Sequence, residues 1–366
     1  MSDFIPGLQL GRLFFLEAVK PVLEAGFSKL QYSAALIGSG SEVLGFDTEM
    51  STDHHWGPRV MLFLTEEDYH GYHEAIDATL RNELPIRCHG YSTNFTLPDP
   101  ADKNVQNLQE VDCGPINHRV EIHTIRRFFL NELNFDIEKS IEPADWLTFP
   151  SQKLRSLTAG AVYHDAIGLQ PARDRFNYYP HEVWLYLLAS GWNRIGQEEH
   201  LMGRAGTVGD EIGSALIGSR LVRDVMSLCF LMERQYAPYA KWFGTAFNEL
   251  KCAETLSPIL RRVLLAEVWQ DREKHLAAAF EYIAEMHNRL GITETLPAKV
   301  SGFFGRPFLV MNTGGGFAEA IRGRITDLVV ARIADRGLIG SIDQISDSTD
   351  ILSDRRWRMT LRRLYE

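Results

Sequence analysis

Five consecutive apolar side chains, Val60-Met61-Leu62-Phe63-Leu64, constrain this chain more than any other segment. A strand with one face in water alternates apolar and polar residues, so an unbroken run belongs to a strand covered on both faces. Other elements must therefore lie above and below it. Ahead of the run, Leu8, Leu13, Phe14, Ala18, Val22 and Leu23 recur at spacings near three and four, which predicts an amphipathic helix over 8–26 ending at Gly26. QYSAALI (31–37) reads as a second buried strand. Behind the run, Thr65 with Glu66, Glu67 and Asp68 opens a helix with a hydroxyl cap and acids in its first turn. Residues 86–95 and HRVEIHTI (118–125) carry further strand signals.

Beyond residue 170 the pattern becomes helical: HEVWLYLLASGW, then EIGSALIGSRLVRDVMSLCFLMERQY with its stripe Leu221, Val225, Leu228 and Met232, then SPILRRVLLAEVWQDREKHLAAAFEYIAEMHNRL. PFLVM reads as a short strand, residues 317–335 as a helix, and RRWRMTLRRLYE as a solvated last helix. The expected architecture is α/β + α, with a small mixed-sheet α/β domain over 1–165 followed by a mainly helical domain over 166–366. A length of 366 residues suits two domains.

Charge narrows the partners. Lys and Arg total 38 against 48 Asp and Glu, a net charge of −10, which argues against holding nucleic acid by bulk electrostatics. Cys88, Cys113, Cys229 and Cys252 lie far apart, as reduced thiols do. The N-terminal residues lack the pattern of a signal peptide, and no 18-residue apolar run occurs. These features predict a cytoplasmic protein that does not span a membrane.

The chemistry concentrates in Ile37–Leu64, IGSGSEVLGFDTEMSTDHHWGPRVMLFL. A strand runs into Gly38-Ser39-Gly40-Ser41, the acids Glu42, Asp47, Glu49 and Asp53 follow, and the apolar strand closes the unit. Small residues at a strand end let backbone amides approach a phosphate, and serine hydroxyls add donors. Nearby carboxylates suit Mg²⁺, which takes oxygen ligands from one or two carboxylates and from the nucleotide itself.

Gly40-Ser41, eleven residues (42–52), and then Asp53-His54-His55 resemble the signature of the nucleotidyltransferase superfamily that includes the kanamycin and lincosamide nucleotidyltransferases and the polymerase-beta-like enzymes. GSGSEVLGFDTEMSTDHHWGPR and the string from YYPHEVWLYLLASGW to APYAKWFGTAF are similar to an uncharacterised bacterial family within it, a domain of unknown function. The resemblance spans about residues 30–260. It implies a nucleotidyltransferase fold for the first domain, with the ligand cleft between the two domains. It also implies metal-dependent transfer of a nucleoside monophosphate, AMP from ATP, to a hydroxyl of a small molecule or protein.

The resemblance assigns residues as well. Gly38, Ser39, Gly40 and Ser41 cradle phosphates, Asp53 and His55 hold Mg²⁺ or Mn²⁺, with Asp47 or Glu49 able to supply a further oxygen if the loop folds back, Glu121 orients or deprotonates the acceptor, and Lys241 binds the triphosphate. One departure stands out: His55 falls where the superfamily has its second Asp, and imidazole suits Mn²⁺ or Zn²⁺ better than Mg²⁺. The alternative is therefore a nucleotide-binding regulatory module of the same fold with weak chemistry.

Other signals have plainer readings. Asp53-His54-His55 and Gly314-Gly315-Gly316 also resemble motifs of the DHH phosphoesterases, but the 52 residues upstream leave little room for that family's earlier metal-binding acids. His54, His55, His89, His118 and His123 lack the helical spacing of a zinc site. Gly203, Gly206, Gly209 and Gly213 fit either a ligand loop or close helix packing. Arg194, Glu198 and Arg204 are candidates for an acceptor pocket.

Overall fold

The computed structural model describes residues 4–102, 104–311 and 316–366. Gly314 and Gly315 of the Gly314-Gly315-Gly316 motif lie outside the described residues. The chain divides into two compact units: Met1–Ser140 with Lys153–Asn177, and Ile141–Gln152 with Tyr178–Glu366.

The first unit is built on a mixed four-stranded sheet. Its strands are β1 (Tyr32–Leu36), β2 (Arg59–Leu64), β5 (Arg119–Thr124) and β6 (Ala161–Asp165), in the order β5-β2-β1-β6. β1 runs antiparallel to β2 and β6, whereas β2 and β5 are parallel, with Arg59 opposite Arg119, Met61 opposite Glu121 and Phe63 opposite His123. All six side chains of β2 are buried, as its apolar run requires.

Alternation along the strands separates two faces. Tyr32, Ala34, Val60, Leu62, Leu64 and Val120 join the core formed with α1 (Gly7–Phe14), a π-helical turn Phe15–Val19, α2 (Lys20–Gly26) and α3 (Glu66–Glu83). The helix expected over 8–26 thus runs from Gly7 to Gly26 with a π turn inside it. Thr65 caps α3 by accepting from the Asp68 amide at 3.0 Å. On the other face Phe63 meets Phe128 of α4 (Ile125–Leu133) edge-on at 5.3 Å.

One expectation for this unit needs correction, and one strand was not expected. Residues 86–95 form a hairpin of two-residue strands, β3 (Arg87–Cys88) and β4 (Tyr91–Ser92), because His89 (φ 49°) and Gly90 (φ 89°) turn the chain between them. β6 carries mostly half-buried side chains and no apolar run, so its sequence gave little signal.

The second unit is mainly helical. Its long helices are α8 (His181–Thr207), α9 (Glu211–Met232), α11 (Ala253–Leu265) and α12 (Trp269–Leu290). Gly203 and Gly206 serve packing: an added Cβ would lie 2.7 Å from the Phe308 ring and 2.1 Å from Trp269. The helix expected over 317–335 is two, Gly316–Arg322 and Leu328–Arg336, because Asp327 caps the amides of Val329 and Val330 and starts a new helix. PFLVM contributes only Leu309–Val310, paired with Ser301–Gly302.

The last helix, Arg358–Arg362, is not a solvated arginine-rich face as its sequence suggested. Arg358 is buried, and Arg358 and Arg362 both donate to Asp145 of α5 (Pro143–Thr148). Among the described residues, no helix is long and apolar enough to cross a membrane.

Candidate functional site

The loop after β1 is shaped by glycine. Gly38 sits at φ +84° and Gly40 at φ +143°, conformations that L side chains rarely adopt. At Gly40 space is excluded as well, since an added Cβ would lie 2.6 Å from both Arg59 Nη2 and Glu42 Oε2. Arg59, at the start of β2, holds the loop from beneath. Its Nη2 donates to the Ser39 carbonyl at 2.6 Å and pairs with Glu42 Oε1 at 2.6 Å, and both side chains are almost wholly buried.

That clamp orients the peptide plane. In a trans peptide the carbonyl and the following N–H point to opposite sides, so turning the Ser39 carbonyl onto Arg59 directs the Gly40 N–H away from it. Among the described residues, the amides of Ser39, Gly40 and Ser41 donate to no protein acceptor. Ser39 is exposed, and Gly40 and Ser41 are half-buried. Successive free N–H groups in a glycine-bent loop form a concavity suited to an anion.

On the neighbouring strand the same alternation puts Arg119, Glu121 and His123 on the face of Arg59, Met61 and Phe63. Arg119 lies opposite Arg59 in the ladder, and each cation has its own carboxylate: Arg59 has Glu42, and Arg119 pairs with Glu121 at 2.8 Å and donates to Gln106 Oε1 at 2.6 Å. His123 Nε2 lies 3.5 Å from Glu121.

Burial alone would raise the Glu121 carboxyl. His123, Arg119 and Arg59 outweigh it and hold the group down at about 2, below the ordinary 4.5. A carboxylate held below its unfolded value stabilises the fold above that value and loses the contribution as pH falls through the folded one. Glu121→Gln is therefore less stable than the wild type at neutral pH, and the two converge between pH 4.5 and 2 in urea unfolding repeated across that range.

The Asp53–His55 segment is a turn ahead of β2 and not part of the strand. His54 (φ 43°) and His55 (φ 67°) are both left-handed, a conformation uncommon outside glycine and often found where function imposes strain. The turn is stitched to residues 106–107: the His55 amide donates to the Gln106 carbonyl at 2.8 Å, and the His54 amide to Asn107 Oδ1 at 3.1 Å. Burial and the charges of Arg119 and Arg59 lower the His55 imidazole, which keeps it neutral at pH 7. Its Nδ1 accepts from the Gln106 amide at 3.3 Å, which places the proton on Nε2.

The remaining assigned residues are dispersed. The Asp53 carboxylate is exposed and meets His54 Nδ1 at 2.6 Å. Glu49 is exposed in a short 3-10 turn, Glu49–Ser51. Asp47 accepts from the Gly7 amide at 2.7 Å and from Trp56 Nε1 at 3.0 Å, a structural tie. Lys241 belongs to the second unit, exposed on α10 (Ala240–Phe247), with its ammonium 4.8 Å from the Trp242 ring centroid.

Among the described residues, no group of three or more His, Cys, Asp or Glu side chains is placed to hold a metal ion. The set Asp53, His55 and Glu49 is thus not assembled, and the His55 tautomer makes Nε2 a donor instead of a ligand. Mg²⁺ carried on a triphosphate makes a smaller demand, one or two protein carboxylates, and the exposed Asp53 fits it.

Sequence reasoning passed over Arg59, Arg119 and Gln106. Both arginines had a signal: Arg59 abuts an apolar run, and Arg119 shares the period-two face of Glu121.

Residues 146–243 match a family described as "Domain of unknown function (DUF4037)". No curated protein and no solved structure matches the chain.

Proposed function

We propose that the first unit binds the phosphates of a nucleoside triphosphate, ATP being the first to test, and transfers its nucleotidyl group to a hydroxyl acceptor. The observation that carries this reading is the Gly38–Ser41 loop, whose Ser39, Gly40 and Ser41 amides are unpartnered among the described residues and whose Ser39 carbonyl is held by Arg59 of β2, the strand paired with the one that bears Glu121. The amides of Ser39, Gly40 and Ser41 hold phosphate oxygens. Asp53 is the carboxylate available to a nucleotide-borne Mg²⁺, which would neutralise charge on the departing pyrophosphate. Glu121 orients the acceptor hydroxyl as a fixed anion. At about 2 it is a weak base, and a loose phosphoryl-transfer transition state makes little demand for a strong one. The role of Lys241 rests on the resemblance alone.

The test is calorimetric titration of ATP with Mg²⁺, then with Mn²⁺, with pyrophosphate release followed in parallel. Saturable binding is expected, weakened at least about tenfold by Gly40→Val, which is about 1.4 kcal/mol. Asp53→Asn is expected to remove the metal dependence. Absence of binding with either metal sinks the reading.

One observation favours a second reading, nucleotide binding without turnover: the buried Glu42 and the half-buried Glu121 are both already paired with arginines. Metal-dependent ATP binding without pyrophosphate release, across a screen of hydroxyl acceptors, would select it.

A further inference from the structure

The second unit holds a cavity of about 300 Å³ between α8, α9 and the segment Asp343–Asp347, which begins in the short helix Ile342–Ile345. That volume is at the lower end for small-molecule sites, so its occupant is compact. Gly191 and Leu228 form an apolar floor, and the rest of the lining is mainly polar, with Arg194, Arg220, Arg223, Asp224 and Ser227 among it.

The hydrogen bonding of these side chains is incomplete in a patterned way. Arg194 donates Nε to Asp224 Oδ1 at 2.7 Å and Nη1 to the Gln344 carbonyl at 3.1 Å, which leaves Nη2 without a protein acceptor among the described residues. Arg223 gives Nη1 to Asp347 Oδ2 at 2.9 Å, and Arg220 gives Nη2 to Glu198, and the rest of each guanidinium is likewise unused. A carboxylate fixing one edge of an arginine fork leaves the other edge pre-set for an oxyanion. Among the described residues the Ser227 hydroxyl has no protein partner either.

One acceptor is also unmatched. Asp224 Oδ2 is buried without a hydrogen-bond partner among the described residues, and a buried polar atom left unpaired costs free energy. Burial raises the Asp224 carboxyl against the opposing charge of Arg194, and burial raises Asp343 to about 6 against the opposing effects of the Ser151 amide and Arg223.

We propose that this cavity is a second ligand site, taking a compact phosphomonoester that carries a neighbouring hydroxyl, with Arg194 and Arg223 on the phosphate and Asp224 accepting from the hydroxyl. It involves none of the residues of the Gly38–Ser41 loop. Free arginine N–H groups call for an oxyanion, the unmatched carboxylate oxygen calls for a donor, and a small polyol phosphate supplies both.

The test is calorimetric titration of glycerol 3-phosphate into the full chain, with glycerol as the comparison. Saturable binding of the phosphate ester and none of glycerol is expected, with affinity reduced about tenfold in Arg223→Gln and in Asp224→Asn. Arg223 lies at the half-exposed rim, so its variant keeps the test valid where Asp224→Asn disturbs folding. Absence of saturation up to about 10 mM overturns the proposal, as does unchanged affinity in Arg223→Gln. Displacement by equimolar ATP also overturns it, since that would move the phosphate to the ATP site.

Discussion

Arg59→Met lowers the stability of the first unit by about 3–5 kcal/mol, because it leaves the Glu42 carboxylate buried without its cation. Amide hydrogen exchange across β2 reads this locally, which matters in a chain of two units that need not unfold together. The double variant Arg59→Met/Glu42→Leu recovers most of the loss, since two apolar groups of similar size remove the uncompensated charge. ATP binding does not recover with it. Without the guanidinium on the Ser39 carbonyl, nothing turns that peptide plane, and the amides lose their common direction. A double variant that regained both stability and ATP binding would show that Arg59 has no part in shaping the loop.

The second large effect is expected at Asp145→Ala. Asp145 is buried on α5 and accepts from Arg358, and from Arg362 Nε at 3.1 Å. Removing it takes the carboxylate away from the buried Arg358 guanidinium, at a cost of about 3–5 kcal/mol to the second unit. The damage should spread along the C-terminal segment, where the Tyr365 hydroxyl donates to the Gly340 carbonyl at 2.8 Å. Limited proteolysis then cuts within 355–366 at enzyme concentrations that leave the wild type intact. Equal resistance in the two proteins would show that Asp145 does not hold the tail.

Local physics made part of this legible in the sequence. The Val60–Leu64 run announced a strand buried on both faces, Thr65 announced the cap of α3, and Gly38–Ser41 announced a strand end where backbone is exposed. Glu121 could be picked out because a charge inside a strand pattern stands against its neighbours. The pairing of β2 with β5 could not, since register between strands some sixty residues apart is fixed by packing of the whole unit. That register sets Arg119 beside Arg59 and adds the charge of Arg59 to those of Arg119 and His123, which hold Glu121 from its own strand. The roles of His55 and the tail arginines were hidden for a similar reason: the Gln106 amide that sets the His55 tautomer lies 51 residues away, and Asp145 lies 213 residues from Arg358.

The interleaving of the two units bears on the order in which a ribosome can deliver them. Ile141–Gln152, which belongs to the second unit, emerges before Lys153–Asn177, which completes the first. The first unit therefore cannot close its sheet with β6 until a piece of its neighbour is already outside the exit tunnel. Asp145 then waits more than two hundred residues of synthesis for Arg358. During that interval α5 carries a carboxylate whose cation has not been made, so the ion pair of the second unit is completed only when Arg358 arrives.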